Sequence, residues 1–271
     1  MGGINVGCSS PGMKLLRVLA VAGVLLPLSP AMAQESGETR IRVGLGAQFR
    51  PEYIGADKRE PAPLIDISVA RGGKQFDFEA PDDNFDLRII NKNGFSLGPV
   101  ANLQSGRKNS DVGAAVGKVK TTIEAGVFVQ YEIGESVRLR SEVRKGIGGH
   151  KGGVASVGGD YIWRDGDRYV LSVGPRVLLS DARYQRAWFG VSPEASLATG
   201  LSQYRPGSGV HALAMTSGAS YQFNRDWGLF GYARYERLVG DAAKSPLVRS
   251  LGSKNQSAAG LGVTYAFSIK R

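Results

Sequence analysis

From Val119 to Ile133 the chain alternates: Val119, Ile123, Ala125, Val127, Val129, Tyr131 and Ile133 take the odd positions, and Lys120, Thr122, Glu124, Gln130 and Glu132 the even ones. A period of two puts the first set on one face of a strand and the second on the other. The same alternation, bounded by turn signals, predicts about twelve strands along the chain. They fall at Arg40–Arg50, Pro61–Arg71, Lys74–Ala80, Phe85–Asn91, Gly94–Arg107, Val119–Ile133, Ser136–Ile147, Gly153–Arg164, Arg168–Ser180, Val210–Phe223, Trp227–Val239 and Ser257–Ile269.

The connections sort into two kinds. Short turns are expected at Gly72-Gly73, Asn91 to Gly94, Gly134-Glu135, Asp165 to Asp167 and Asn224 to Asp226. Longer ones are expected at Pro51 to Glu60, Lys108 to Lys118, Asp181 to Gly209 and Gly240 to Gln256, with a moderate one at Gly148 to Gly152. The short turns all follow even-numbered strands and so land at one end. That asymmetry is the mark of an outer-membrane barrel with tight periplasmic turns and long extracellular loops. Closure also satisfies every backbone polar group between strands, which lipid cannot do. The expected fold is therefore all-β, an antiparallel transmembrane β-barrel of about twelve strands. Within the longest connection, Ser192-Pro193-Glu194 reads as an N-cap, a proline at the first helical position and an acid in the first turn, with Gly200 as the stop. A short helix folded over or into the mouth is expected there.

The N-terminal segment supports export. Met13 to Ala33 carries basic Lys14 and Arg17, an apolar run from Val18 to Leu28, and small residues at Ala31 and Ala33. This is the order of a secretory signal peptide, and the run falls short of the roughly 20 residues a spanning helix needs. Residues 1–33 are thus read as leader and signal peptide with the natural start at Met13, and residues 34–271 as one barrel domain. The chain's single cysteine, Cys8, sits in the leader. The mature chain then has no disulfide, thiolate metal site or thiol nucleophile.

The two strand faces supply candidate residues. Tyr131, Tyr169, Trp227, Tyr235, Tyr265 and Phe267 are expected outward near strand ends, as an aromatic girdle at the membrane boundary. Arg138, Arg140, Glu142, Arg144, Arg234 and Glu236 are expected inward, either as a cross-barrel salt-bridge network or as the lining of a narrow pore. Net charge is +10, which suits contact with lipopolysaccharide phosphates or acidic glycans. No motif reads as a nucleic-acid module, so no nucleic-acid partner is expected.

Enzymatic candidates are few. His150, in the glycine-rich GIGGHKGG connection placed outside, and His211, placed on the outward face with Leu213, Met215 and Tyr221, are the only imidazoles. Neither has a nucleophile and an orienting acid at readable spacing. Two separate histidines do not make a zinc site, and Asp82-Asp83 reads as a turn. No catalytic residue, cofactor or metal is assigned, and the chain is read as non-enzymatic.

A set of segments in order along the mature chain resembles the MipA/OmpV family of Gram-negative outer-membrane proteins. These are GLGAQFRPEYIGADKREPAPLIDI, GPVANLQSGRKNSD, TTIEAGVFVQYEIG, GGHKGG, RYQRAWFGVSPEAS, YERLVGDAAKSPLV and the closing GLGVTYAF. The resemblance implies residence in the cell outer membrane, amid its lipid and lipopolysaccharide. It also implies a scaffold for peptidoglycan remodelling that joins a murein hydrolase, a membrane-bound lytic transglycosylase, to a murein synthase, a bifunctional penicillin-binding protein. The alternatives are a narrow channel for small polar solutes gated by Asp181 to Gly209 and, third, a barrel enzyme acting on lipid.

Overall fold

The computed structural model describes residues 38–269; the expected leader, residues 1–33, and residues 34–37 lie outside them. Twelve strands make one antiparallel sheet. In chain order they are β1 (Thr39–Pro51), β2 (Arg59–Arg71), β3 (Phe85–Asp86), β4 (Ile90–Lys92), β5 (Phe95–Gln104), β6 (Thr122–Ile133), β7 (Val137–Gly148), β8 (Gly153–Asp165), β9 (Tyr169–Ser180), β10 (Gly209–Gln222), β11 (Trp227–Leu238) and β12 (Asn255–Ile269). The order across the sheet is β2-β1-β12-β11-β10-β9-β8-β7-β6-β5-β3, with β4 also on β5. Sequence neighbours are thus spatial neighbours, and β1 pairs with β12 from Thr39↔Ile269 to Phe49↔Ala259. Ten strands run 10 to 15 residues, enough to cross a bilayer at a tilt.

One stretch departs from the expected wall. Phe85–Asn91 runs beside β5, but as the short pieces β3 and β4, bridged by Leu87 N–H to Pro99 O at 3.1 Å and Ile89 N–H to Leu97 O at 2.9 Å. Lys74–Ala80 is no strand at all. Its alternation is real, but its partners are side chains of the wall rather than the backbone of a neighbouring strand. Arg40 and Arg42 stack on the Phe76 ring at 4.8 and 4.7 Å, and Arg138 on Phe78 at 4.8 Å. The Phe76 N–H donates to Asp167 and its carbonyl accepts from Arg164. With this segment withdrawn, no ladder bond among the described residues joins β2 to β3, and the curled sheet keeps a seam there.

Burial is inverted relative to a water-soluble domain. Leu45, Ile65, Leu103, Val143, Ile147 and Leu261 are each 60 to 65% exposed, while Thr122, Gln130 and Arg138 are at most 1% exposed. Apolar side chains outward along the long strands and mostly polar ones inward is the arrangement lipid selects. The apolar core sits instead at the long-loop end. There α2 (Ala182–Phe189), α3 (Pro193–Thr199), α4 (Gly240–Lys244) and α5 (Pro246–Leu251) pack Trp188, Phe189, Leu247 and Val248 to near-zero exposure; α1 (Asn109–Val112) is a single turn in the β5–β6 loop. No helix of the described residues is long and apolar enough to cross a membrane.

Val127 lies mid-strand on the outward face of β6, 56% exposed. Val127→Arg places a guanidinium near the bilayer midplane and costs about 2–4 kcal/mol. Urea unfolding in liposomes reads this as a lower midpoint, and an unchanged midpoint would mean that this face does not meet lipid.

Candidate functional site

The inward face gathers charge. Arg138, Arg140, Glu142, Arg144, Arg234 and Glu236 all point into the lumen, and each takes part in at least one ion pair. Period-two alternation on β7 and β11 puts them there. What they meet is the segment from Phe76 to Asn84, which enters the lumen as a strap, and Asp86 at the start of the wall piece that follows it. At the tip of the strap Asp82 accepts from Arg176 at 3.0 and 3.1 Å, from Thr216 Oγ1 at 3.1 Å and from Arg234. Asp83 accepts from Arg138, through Nη2 at 3.0 Å and also Nη1, and its own carboxylate closes the turn on the Ala80 N–H. Asp160 bridges Arg138 and Arg176 at 2.7 Å each. Asp86 pairs with Arg140 at 2.7 Å, and Asn84 donates to Glu142 at 2.7 Å. Strands β7, β8, β9, β10 and β11 are thereby tied to one short segment.

Asp82-Asp83 does form a turn, as read, but a turn held in the lumen rather than a surface one. Arg176, Asp160 and Glu124 belong to the same network and were not singled out from sequence. All three stand on the inward phase of their strands, so the signal was the alternation itself; what sequence lacked was their counter-charge. A cavity of about 400 Å³ remains among Arg138, Arg140, Arg144, Arg176, Asp82 and Glu142.

Helix α2 closes the long-loop end. Asp181 caps it, accepting from the Tyr184 N–H at 2.8 Å and from the Gly153 N–H at 2.7 Å. Burial opposes ionisation of Asp181, yet these N–H groups and Lys145 hold its carboxyl below the usual range. Burial first, then Glu124 and Glu236, push the Tyr184 phenol well above its ordinary value. The glycine-rich connection is the seat for this helix. A Cβ at Gly152 would collide with Tyr184, and one at Gly149 with Thr122 and the Lys120 carbonyl. Helix α3 forms as expected, capped by Ser192 and ended by Gly200 in the left-handed region. Helix α2 was missed despite Asp181 at its cap and Tyr184 with Trp188 one turn apart. Arg107 donates to the Trp188 carbonyl at 2.6 Å, and Ser245 to that of Phe189 at 2.7 Å.

Both histidines lie under this lid. His150, at the long-loop end as expected, is buried; its Nδ1 accepts from Gly152 N–H at 3.0 Å, so Nε2 carries the proton toward Glu124 at 3.0 Å. His211 does not face outward with Leu213 and Met215. The β9–β10 register shifts between Val210 and Ala212, and this bulge turns His211 inward. It meets Ser180 Oγ at 3.0 Å, and its ring lies tilted against that of Tyr184 at 5.3 Å between centroids. No cluster of metal-ligating side chains occurs among the described residues.

The six girdle candidates are all exposed. Tyr131, Tyr169, Trp227, Tyr265 and Phe267 lie toward the short-turn end, where Trp227 and Tyr265 approach to 4.8 Å. Tyr235 stands at the opposite end, its hydroxyl donating to Asn255. Tyr161, Trp163, Tyr221 and Phe223 extend the short-turn belt and were not picked out in advance as girdle residues.

Removing Arg138 leaves Asp83 with only Arg140 at 3.7 Å and leaves Asp160, whose side chain is 2% exposed, with Arg176 alone. Arg138→Ala is expected to destabilise by about 3–5 kcal/mol, the cost of an uncompensated buried charge. Thermal unfolding of the purified protein checks this, with Arg168→Ala at an exposed turn as the neutral comparison.

The family model described as "MltA-interacting protein MipA" matches residues 43–267. The MltA-interacting protein of Escherichia coli (strain K12) is 37% identical over 83 residues, 30% of this chain and 31% of that protein, and the Shigella flexneri protein of the same name matches equally. The matched stretch thus spans about a third of the curated relatives' length. Among solved structures, the KdgM porin aligns over 85% of this chain and 99% of its own at 11% identity and TM-score 0.35. OmpT of Vibrio cholerae aligns over 88% and 100% at 9% identity and TM-score 0.37. With a family match over most of its length and a strand wall built to face lipid, the chain belongs to the MipA family and is a protein of the cell outer membrane.

Proposed function

We propose that this protein is a non-enzymatic scaffold that docks peptidoglycan-remodelling enzymes at the periplasmic side of the outer membrane. Its family and fold are non-enzymatic in kind. The observation that carries the reading is the filled interior: the strap crosses the lumen and the α2 lid covers it. The short-turn end is then the surface left for a periplasmic partner. It exposes Lys74, Lys92, Glu135, Arg168, Arg225 and Asp226 on successive turns. The relatives' name supplies the class of partner, a murein hydrolase.

Arg168→Glu combined with Arg225→Glu leaves the wall intact, because both side chains stand on exposed turns. Under mild detergent the wild type is expected to co-purify with a membrane-bound lytic transglycosylase, and the double variant to lose most of that recovery. Recovery of neither the transglycosylase nor a penicillin-binding protein by the wild type would overturn the scaffold.

A channel for small polar solutes is the second reading, favoured by the charged cavity beneath the lid. It calls for openings in a planar bilayer that grow when the strap is loosened by Asp82→Asn with Asp83→Asn. The scaffold reading expects the wild type to be silent.

A further inference from the structure

At the long-loop end the β5–β6 connection forms a cleft of about 700 Å³. Its two arms are fastened by Arg107 and Val119, each donating its N–H to the other's carbonyl at 2.8 Å. Both of these side chains are buried inward. Strand alternation then puts their neighbours Lys108, Lys118 and Lys120 outward, and all three are exposed and line the cleft. Among the described residues lysine ion pairs occur at Lys145 with Asp181 and Lys244 with Asp241, and these three lysines have none. The one acid of the cleft, Asp111, is turned onto its own loop: its carboxylate accepts from the Lys108 N–H at 2.7 Å and from Ser110 Oγ at 3.1 Å.

Directly below the lysines lies lipid-facing wall. Leu103 pairs with Ile123 and Ile123 with Ile147 across β5, β6 and β7, at 65, 56 and 63% exposure. A basic cleft standing on an apolar ledge matches a ligand whose phosphate and acyl chains are joined.

We infer that Lys108, Lys118 and Lys120 form a headgroup site for the phosphorylated, acylated glucosamine disaccharide of the outer leaflet, lipid A, with its acyl chains lying on Leu103, Ile123 and Ile147. The orientation is set by the short turns facing the periplasm, which leaves this cleft at the outer surface. A lysine near an anionic lipid surface contributes about fivefold in affinity, so three together contribute on the order of a hundredfold. The site serves position rather than chemistry: it fixes the β5–β6 loop, whose Arg107 holds the lid helix through the Trp188 carbonyl. It is independent of the docking proposed for the opposite end.

The test uses the purified protein in phosphatidylcholine nanodiscs doped with diphosphoryl lipid A, and native mass spectrometry to count retained lipid. The wild type is expected to retain lipid A and to retain the same lipid stripped of phosphate far less. Lys108→Gln, Lys118→Gln and Lys120→Gln together are expected to lose ten- to a hundredfold in affinity, and the matching triple arginine variant to keep it. These are surface changes, and heat-shifted electrophoretic mobility confirms the folded wall. Equal retention by the glutamine triple, or equal binding of the dephosphorylated lipid, would overturn the site. So would displacement by millimolar inorganic phosphate, which would make it a free-anion cleft, or a preference for an acidic peptide over the lipid.

Discussion

Asp82 and Asp83, adjacent on one turn, hold guanidinium groups from three different strands: Arg138 on β7, Arg176 on β9 and Arg234 on β11. The rest of the interior follows from this tie. A lumen lined with arginine would repel itself, and the wall's own acids do not suffice for it. Asp160 is shared between two arginines, and Glu142 takes both Arg140 and Arg144. The strap brings the missing negative charge to the axis. Breaking a buried charge pair is costly because the survivor remains out of water, so β7, β9 and β11 depend on residues distant from them in the chain.

The same constraint explains where apolar packing sits. Lipid surrounds the outside of the wall and charge fills the inside, so tertiary hydrophobic burial is left with the long-loop end. Trp188, Phe189, Leu238 and Val248 form a plug there, and the glycines around His150 let the lid helix approach closely enough to make it. The two ends thus differ in kind. One is sealed by packed helices, and the other, where docking is proposed, offers charged turns between exposed aromatic side chains.

Much of this is legible in the amino-acid sequence. Alternation located the long strands, and turn lengths gave the asymmetry of the ends. The Ser192 cap and the Gly200 stop fixed α3. What failed did so for identifiable reasons. Lys74–Ala80 has strand periodicity, but its phenylalanines are claimed by Arg40, Arg42 and Arg138, partners invisible to a local pattern. The single-residue bulge between Val210 and Ala212 reverses the facing of His211, and the alternation of apolar and polar positions does not announce it. The inward phase of Arg176 and Asp160 was readable; their importance was not, because it lies in the segment that pairs with them.

The seam between β2 and β3 has a geometric consequence. In a barrel whose ladder runs all the way round, strand number and shear dictate the radius. Here the ladder is a bent ribbon with two free ends, so counting strands does not fix its bore. The curvature is set as in a strung bow, by the length and anchorage of the cord drawn across it. Related chains with the same number of staves but a longer or shorter inner segment would then enclose different spaces, and evolution could resize the interior without touching a single residue that faces the lipid.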